Sequence, residues 1–425
     1  MKKFLISICL LSICITCITG CSFSASDQEQ AQEQASDMVE NLTRAADKIS
    51  QGGILEELEE TEGDAVGIEA EDDETQKSEI SGQDVELEED LEGHAYDYTQ
   101  LSEQEQELYR TILAALQECA SDVAIDMVEE SSFDKVFQCV MNDHPEIFYV
   151  DGYTFIKYTK GDKLKGNAFS GSYLYSQEEI EERNVRIEEK TEEILRQMPD
   201  GDEYEKVKYI YEYIIANTEY VQGAEDNQNI CSVFLGGRSV CQGYAKAAQY
   251  LFEKAGIYSI FVSGKVESGE DHAWNIVRID GNYYYIDTTW GDASYVMSGA
   301  DASYEGKVPQ INYEYLCVPD SQLFRTHTVG KIVPLPSCTS MEANYYVREG
   351  AYFTQADMEK AADLFEKAYE DGTSFVTLKC ADETVYNEME YHLIECQEVF
   401  RYLQSSDGTV AYTNNPKQLA LSFWL

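Results

Sequence analysis

The stretch DHAWNIVRIDGNYYYIDTTWGD, residues 271–292, decides how this chain is read. Two apolar, aromatic-rich runs flank Asp280-Gly281, and an Asp-Gly pair between such runs is a strong hairpin signal. A two-residue turn there sets Ile279 opposite Asn282. Counting back, His272 then faces Thr289, and Asp287 becomes its diagonal neighbour on the same face. Diagonal positions lie roughly 7–8 Å apart, within reach of a His–Asp hydrogen bond. A register shifted by one residue would send the two side chains to opposite faces. Tyr283, Tyr285 and Trp274 share the His272 face on this register and form an aromatic wall that holds water back.

Upstream lies SVCQGYAKAAQYLFEKAGI, residues 239–257. Its residues predict a helix over Cys241–Lys254, with Ala245, Ala248, Leu251 and Phe252 on one face and Gly256 as the cap. Gly236-Gly237 breaks the chain before it, and Ile257–Val266 reads as a strand. The small residues Gly243, Ala245, Ala247 and Ala248 let the helix pack closely on a sheet. Cys241 therefore opens a helix. A thiol attacks as its thiolate, which a helix N-terminus and a neighbouring imidazolium both favour. The same helix start offers backbone N–H groups to an oxyanion. His272 is the natural base, and a His base needs a third group to fix its tautomer, which Asp287 supplies. Each residue alone has an ordinary structural explanation: a core thiol, a core imidazole, a turn-capping carboxylate. Together each supplies what the others lack.

In the order Cys helix, His strand, Asp strand, these runs resemble the core of the transglutaminase-like superfamily. The resemblance rests on Cys-x-Gly-Tyr-Ala, on His-Ala-Trp-Asn, and on Asp-x-Thr-Trp followed by an acidic residue. It takes in EKVKYIYEYIIANTEY (205–220) before them and YEYLCVPDSQLFRTH (313–327) after them. It implies an α+β, papain-like core, a Cys helix packed on an antiparallel sheet. By motif match Cys241 is the nucleophile, His272 the base and Asp287 the orienting group. The implied chemistry is acyl transfer through a thioester, with water or an amine as acceptor, on a protein or peptide substrate such as a wall peptide. Trp274, Trp290, Gln242 and Tyr244 flank the site and are the candidates for contacting substrate. No cofactor or metal is expected, since His94, His144, His327 and His392 lack ligand spacing, although His327 lies near enough in sequence to join the site. The rival reading is a surface binding or scaffold protein that keeps the fold with an idle triad.

Outside this core, charge decides. The 425-residue chain carries a formal charge of −49, which excludes binding to a nucleic-acid backbone. Residues 22–92 hold only Arg44, Lys48 and Lys77 against many Asp and Glu, with no aromatic residue after Phe23. Such a segment buries too little apolar surface to offset its ordering entropy, so it reads as disordered. Before it, Lys2-Lys3 and the apolar run Phe4–Ile18 read as a secretory signal, too short to span a membrane. Ile18-Thr19-Gly20-Cys21 resembles a bacterial lipobox, which implies a lipid on Cys21, export, and anchoring to the outer face of the cell membrane. The acidic segment then becomes an extended tether.

The expected layout is a signal at 1–20, a tether at 21–94, an N-terminal α+β domain at 95–200, the core at 201–335 and a small α/β domain at 336–425. Helices are predicted at Leu101–Leu116, Ser131–Met141, from the capping box Ser176-x-x-Glu179 to Gln197, and at Tyr204–Thr218. Strands are predicted around Asp151-Gly152 and at Tyr313–Val318. The C-terminal part reads as a strand or hairpin at Asn344–Phe353, a helix at Gln355–Glu370, a strand at Ser374–Cys380, a helix at Glu383–Leu403 and a strand at Leu419–Leu425. The scattered cysteines read mostly as buried thiols, with Cys380–Cys396 and Cys317–Cys338 left open as disulfides.

Overall fold

A computed structural model describes residues 95–160, 163–292, 311–404 and 410–425, all within one unit, Glu69–Leu425. The expected signal peptide, Cys21, the acidic tether and most of the loop after Asp292 lie outside the described residues. Among the described residues no helix is long and apolar enough to cross a membrane.

After a helical turn at Tyr96–Thr99 come α1 (Glu103–Gln117), β1 (Val123–Ile125) and α2 (Glu130–Asp143). A long hairpin follows, β2 (Val150–Lys160) and β3 (Lys163–Tyr173), and the sheet order is β1-β3-β2. Asp151-Gly152 is not a turn between strands; the register shifts there, at the start of β2. The strand β3 escapes the sequence pattern because KLKGNAFSGSY is diluted by Gly and Ser. The helices α3 (Gln177–Gln197) and α4 (Glu203–Asn217) both begin with capping boxes, Ser176 with Glu179 and Asp202 with Glu205.

The core follows as α5 (Cys241–Lys254), β4 (Ser259–Val266), β5 (Asp271–Ile279) and β6 (Asn282–Ile286). Two short strands, β7 (Leu316–Val318) and β8 (His327–Val329), complete an antiparallel sheet of order β8-β4-β5-β6-β7. Of the predicted strand Tyr313–Val318, the first three residues form a 3-10 turn. The sheet is buried on both faces. Val277, Ile279, Tyr284 and Ile286 pack with Ala248, Leu251 and Phe252 of α5 in the largest apolar cluster. On the other face Ile260, Val262, Trp274, Ile276 and Tyr285 pack with Tyr315, Leu323 and Cys338. This double burial explains why β5 and β6 read as nearly continuous apolar runs.

Beyond it, β9 (Tyr352–Phe353), α6 (Met358–Glu370), β10 (Phe375–Cys380), α7 (Glu383–Glu390), β11 (Tyr412–Asn415) and β12 (Ala420–Trp424) build a second sheet of order β9-β10-β12-β11. They enclose their own apolar cluster around Phe353, Phe365, Leu378 and Phe423. Two expectations change here. Asn344–Phe353 opens with a helical turn, Tyr345–Arg348, which the Asn344 side chain caps at the Tyr346 N–H, and is strand only at Tyr352–Phe353. The helix expected at Glu383–Leu403 breaks into α7, a π turn and a 3-10 turn, with Gln397 at φ 61°. All eight described cysteines are free thiols, Cys317, Cys338, Cys380 and Cys396 included.

Candidate active site

The hairpin turns in two residues, as its sequence predicts. Asp280 has φ 49° and Gly281 φ 81°, the paired left-handed conformation that suits the twist of the flanking strands. Ile279 pairs with Asn282, and the ladder runs back to Asn275 opposite Ile286. It stops there, because Thr288–Gly291 forms one helical turn capped by Asp287. His272 therefore does not pair with Thr289; its strand partner is Gly264 of β4. The diagonal relation survives: His272 Nε2 lies 2.8 Å from Asp287 Oδ2, and both side chains are buried.

Asp287 is saturated. Its Oδ1 accepts from the backbone N–H groups of Thr289 (2.9 Å) and Trp290 (3.0 Å). Its Oδ2 accepts from His272 and also from His327 Nε2, at 3.1 Å. Burial pushes this carboxyl up, but the charge and hydrogen bond of His272 and the hydrogen bond of His327 outweigh it and hold it below the usual carboxylate range. For His272, burial pulls the ring down; the Asp287 charge and hydrogen bond, with a smaller contribution from Cys241, overcome this and raise it to about 10. With Nε2 on Asp287, Nδ1 is the ring nitrogen left for the Cys241 thiol.

Cys241 begins α5 after Val240, which is extended. Helix α5 can start there because residue 243 is glycine. A Cβ at Gly243 would lie 2.0 Å from Ser239 Oγ, 2.7 Å from Ser232 Oγ and 2.9 Å from the Asn227 carbonyl oxygen. The helix is pinned to β5 by Asn275 Nδ2, which donates to the Ala245 carbonyl at 3.0 Å. Cys241 and His272 both line a cavity of about 530 Å³, together with Gln228, Gln242, Lys265 and Asp271. Asp287 stands behind His272, away from the opening.

The four flanking candidates separate. Gln242 lines the cavity, and its Nε2 donates to the Gln228 carbonyl at 3.3 Å. Tyr244 does not reach it. Its side chain is buried, and its hydroxyl lies 2.8 Å from the Thr218 carbonyl and 3.0 Å from Asp292 Oδ2. It thus ties the Cys helix to the acidic residue that follows Asp-x-Thr-Trp. Trp274 is also fully buried, beside the His272 ring at 5.8 Å. Trp290 packs its ring edge-on to His327 at 4.8 Å and to Tyr315 at 5.2 Å, behind the pair rather than in the cavity wall. Both indoles shield the imidazoles from water. Trp274 faces the core because its side of β5 is covered by Tyr315 and Leu323, and Trp290, on the helical turn after β6, packs against the same cluster.

His327 is the residue that sequence reading left unassigned. It starts the edge strand β8, fifty-five residues from His272, and no spacing rule connects them. The nitrogen and carboxylate atoms of His272, Asp287 and His327 lie within 4.8 Å of one another, a grouping that a cation site would also show. The 2.8 and 3.1 Å separations are those of two N–H donors sharing one carboxylate oxygen, and all three side chains are closed to solvent or nearly so.

A thiol at a helix start and an imidazole thus line one cavity, with a buried carboxylate behind the imidazole, in a fold of the thiol-enzyme kind. Residues 192–288 match the family model of the transglutaminase-like superfamily. That stretch is a transglutaminase-like domain, and the fold is α+β of the papain-like type. The kyphoscoliosis peptidase of Mus musculus is 29% identical over 103 residues, 20% of this chain and 16% of that protein. This chain therefore spans only a small part of that relative's length. A crystal structure of a TGase aligns with 18% identity over 37% of this chain and 50% of that one, at a TM-score of 0.24. The periplasmic domain of TgpA from Pseudomonas aeruginosa, bound to ethylmercury, aligns with 12% identity over 33% and 66%, at 0.15.

Proposed function

We propose that this protein is a thiol-dependent acyltransferase or amide hydrolase acting on a protein or peptide, through Cys241, His272 and Asp287. The observation that carries the reading is that Cys241 and His272 share one cavity while Asp287, 2.8 Å from His272, is shut behind it.

The geometry supports the following sequence. The Cys241 thiolate, paired with the His272 imidazolium, attacks a carboxamide or peptide carbonyl carbon. Backbone N–H groups at the start of α5 stabilise the oxyanion. The C–N bond breaks, and His272 gives its Nδ1 proton to the departing amine, leaving a thioester on Cys241. His272 then takes a proton from water or from an acceptor amine as that nucleophile attacks the thioester, and the thiolate is released. Asp287 holds the ring in the tautomer that makes both transfers possible. The reading includes export and a lipid on Cys21, on the strength of the Lys2–Cys21 sequence, with the acidic segment as tether.

The test is to incubate the protein with a peptide library and a primary amine and compare it with Cys241→Ala by mass spectrometry. Incorporation of the amine, loss of ammonia or a chain cut, each dependent on Cys241, supports the reading and identifies the acceptor. No Cys241-dependent change under any condition overturns it in favour of a binding or scaffold role.

A further inference from the structure

We propose that His327 is a positioning residue of the triad, and that a chain of hydrogen bonds reaching the C-terminal sheet holds it in the tautomer this requires. The inference rests on the triad reading above. It concerns a residue outside the stretch that matches the family model, which ends at 288.

Two features single out His327. First, it fills the last acceptor position of Asp287. Two backbone N–H groups hold Oδ1, and Oδ2 is shared between His272 and His327. With His272 as its only Oδ2 partner, the carboxylate, held at Oδ1 alone, could still swing its Oδ2 with that ring. With a second donor, 3.1 Å away on a different strand, the oxygen is fixed and the ring must come to it. Second, the other nitrogen of His327 is itself committed. Its Nδ1 lies 2.8 Å from Thr326 Oγ1, and Thr326 Oγ1 lies 3.4 Å from the Tyr315 hydroxyl. Gln418 Nε2 donates to that hydroxyl at 3.3 Å, and Lys379 Nζ donates to Gln418 Oε1 at 3.3 Å.

The donors run in one direction. The lysine can only donate, so it orients the Gln418 amide with its N–H towards Tyr315. Tyr315 accepts from Gln418 and passes its own hydrogen to Thr326; the Thr326 hydroxyl has two acceptors in reach, the Leu323 carbonyl at 3.4 Å and His327 Nδ1 at 2.8 Å, and the shorter contact takes its hydrogen. With Nδ1 accepting, His327 keeps a hydrogen on Nε2, pointing at Asp287. Lys379 and Gln418, which belong to β10 and to the residue pair before β12, are both buried. The C-terminal sheet is thus joined to the triad by hydrogen bonds. The Tyr315–Thr326 link is the longest and the Thr326–His327 link the shortest, so substitutions at the near end carry the larger effect.

The experiment follows the rate at which iodoacetamide labels Cys241 in the full-length protein across pH, read from the mass of the tryptic peptide Ser239–Lys246. This readout needs no substrate. The wild type is compared with His272→Ala, His327→Phe, His327→Gln and Thr326→Val, each checked for folding by circular dichroism. Expected are a large loss of labelling near neutral pH in His272→Ala and a partial loss, about tenfold, in His327→Phe, equivalent to a displacement of the profile by about one pH unit. A glutamine at 327 offers both a donor and an acceptor, so His327→Gln should recover most of what His327→Phe loses. Thr326→Val should lower the rate in the same direction and by less.

A wild-type profile in His327→Phe, with His272→Ala still impaired, overturns the inference and leaves the triad standing. A His272→Ala protein that labels like wild type overturns the triad reading itself. If His327→Gln is as impaired as His327→Phe, hydrogen bonding is not the cause and the inference fails. If His327→Phe does not fold, Thr326→Val decides, and its labelling like wild type overturns the proposal. Slower labelling of wild type in EDTA would assign the three residues to a bound cation and also overturn it.

Discussion

His272 and Asp287 are hydrogen-bonded at 2.8 Å although neither is the strand partner of the other: His272 pairs with Gly264, and the β5–β6 ladder ends one residue before Asp287. The contact is diagonal and depends on where the ladder starts. That start is set by two residues with positive φ, Asp280 and Gly281. Replacing Gly281 by Val puts a branched side chain where the backbone is left-handed. We expect Gly281→Val to lower unfolding free energy by about 1–2 kcal/mol, measured by urea denaturation. An unchanged midpoint would mean the turn does not set the register.

The His272–Asp287 pair should leave a signature in stability against pH. His272 is raised to about 10, against about 6.5 in an unfolded chain, so its contribution is complete below about 6.5 and is lost as pH rises through about 10. Asp287 is lowered, so its contribution is present above about 3.9 and lost as pH falls through its folded value. The gap in unfolding free energy between wild type and His272→Gln should therefore shrink steadily from about pH 7 to about pH 10. Denaturant titrations at several pH values measure it, and a gap that stays constant would contradict the assignment.

Gly243 offers a prediction in which two effects have opposite signs. In an ordinary helix interior Gly→Ala adds up to about 1 kcal/mol of stability. Here the new Cβ would meet Ser239 Oγ, Ser232 Oγ and the Asn227 carbonyl, all within 2.9 Å. Overpacking of this kind costs about 1–3 kcal/mol, so Gly243→Ala should be destabilising and should slow labelling of Cys241. A variant more stable than wild type would show that the loop over residues 227–239 is free to move aside.

Tyr244 is a strut rather than a substrate contact, and Tyr244→Phe separates the two roles. Removing the hydroxyl that lies between Thr218 and Asp292 should cost about 1–2 kcal/mol. Because the ring does not line the cavity, the rate at which small peptides protect Cys241 from alkylation should stay as in wild type. A selective loss of peptide protection, with stability intact, would return Tyr244 to the binding surface.

The parts of this site that could be read from sequence are those encoded locally. Cys241 opens a run of good helix formers closed by Gly256, which indeed has φ 74°. The Asp-Gly turn fixes a register, and the register brings Asp287 diagonal to His272. The failures have a common cause. Trp274, Trp290 and Tyr244 are close in sequence to Cys241, His272 and Asp287, yet what a side chain touches depends on what packs over it. For the two indoles that cover comes from Tyr315, Leu323 and Cys338, up to 66 residues after His272, and for Tyr244, on α5, from Thr218 and Asp292.

By itself, then, the sequence determined the helix that starts at Cys241, the hairpin with its register, and the approach of His272 to Asp287, because each follows from contacts between near neighbours in the chain. Only the tertiary structure decided that Trp274, Trp290 and Tyr244 stand behind the cavity rather than in its wall. It also decided that His327 shares the Asp287 oxygen. That sharing needs the edge strand β8 to return antiparallel to β4, with His327 opposite Val266. Such a pairing is set by the packing of the whole sheet, and no periodicity in the chain announces it.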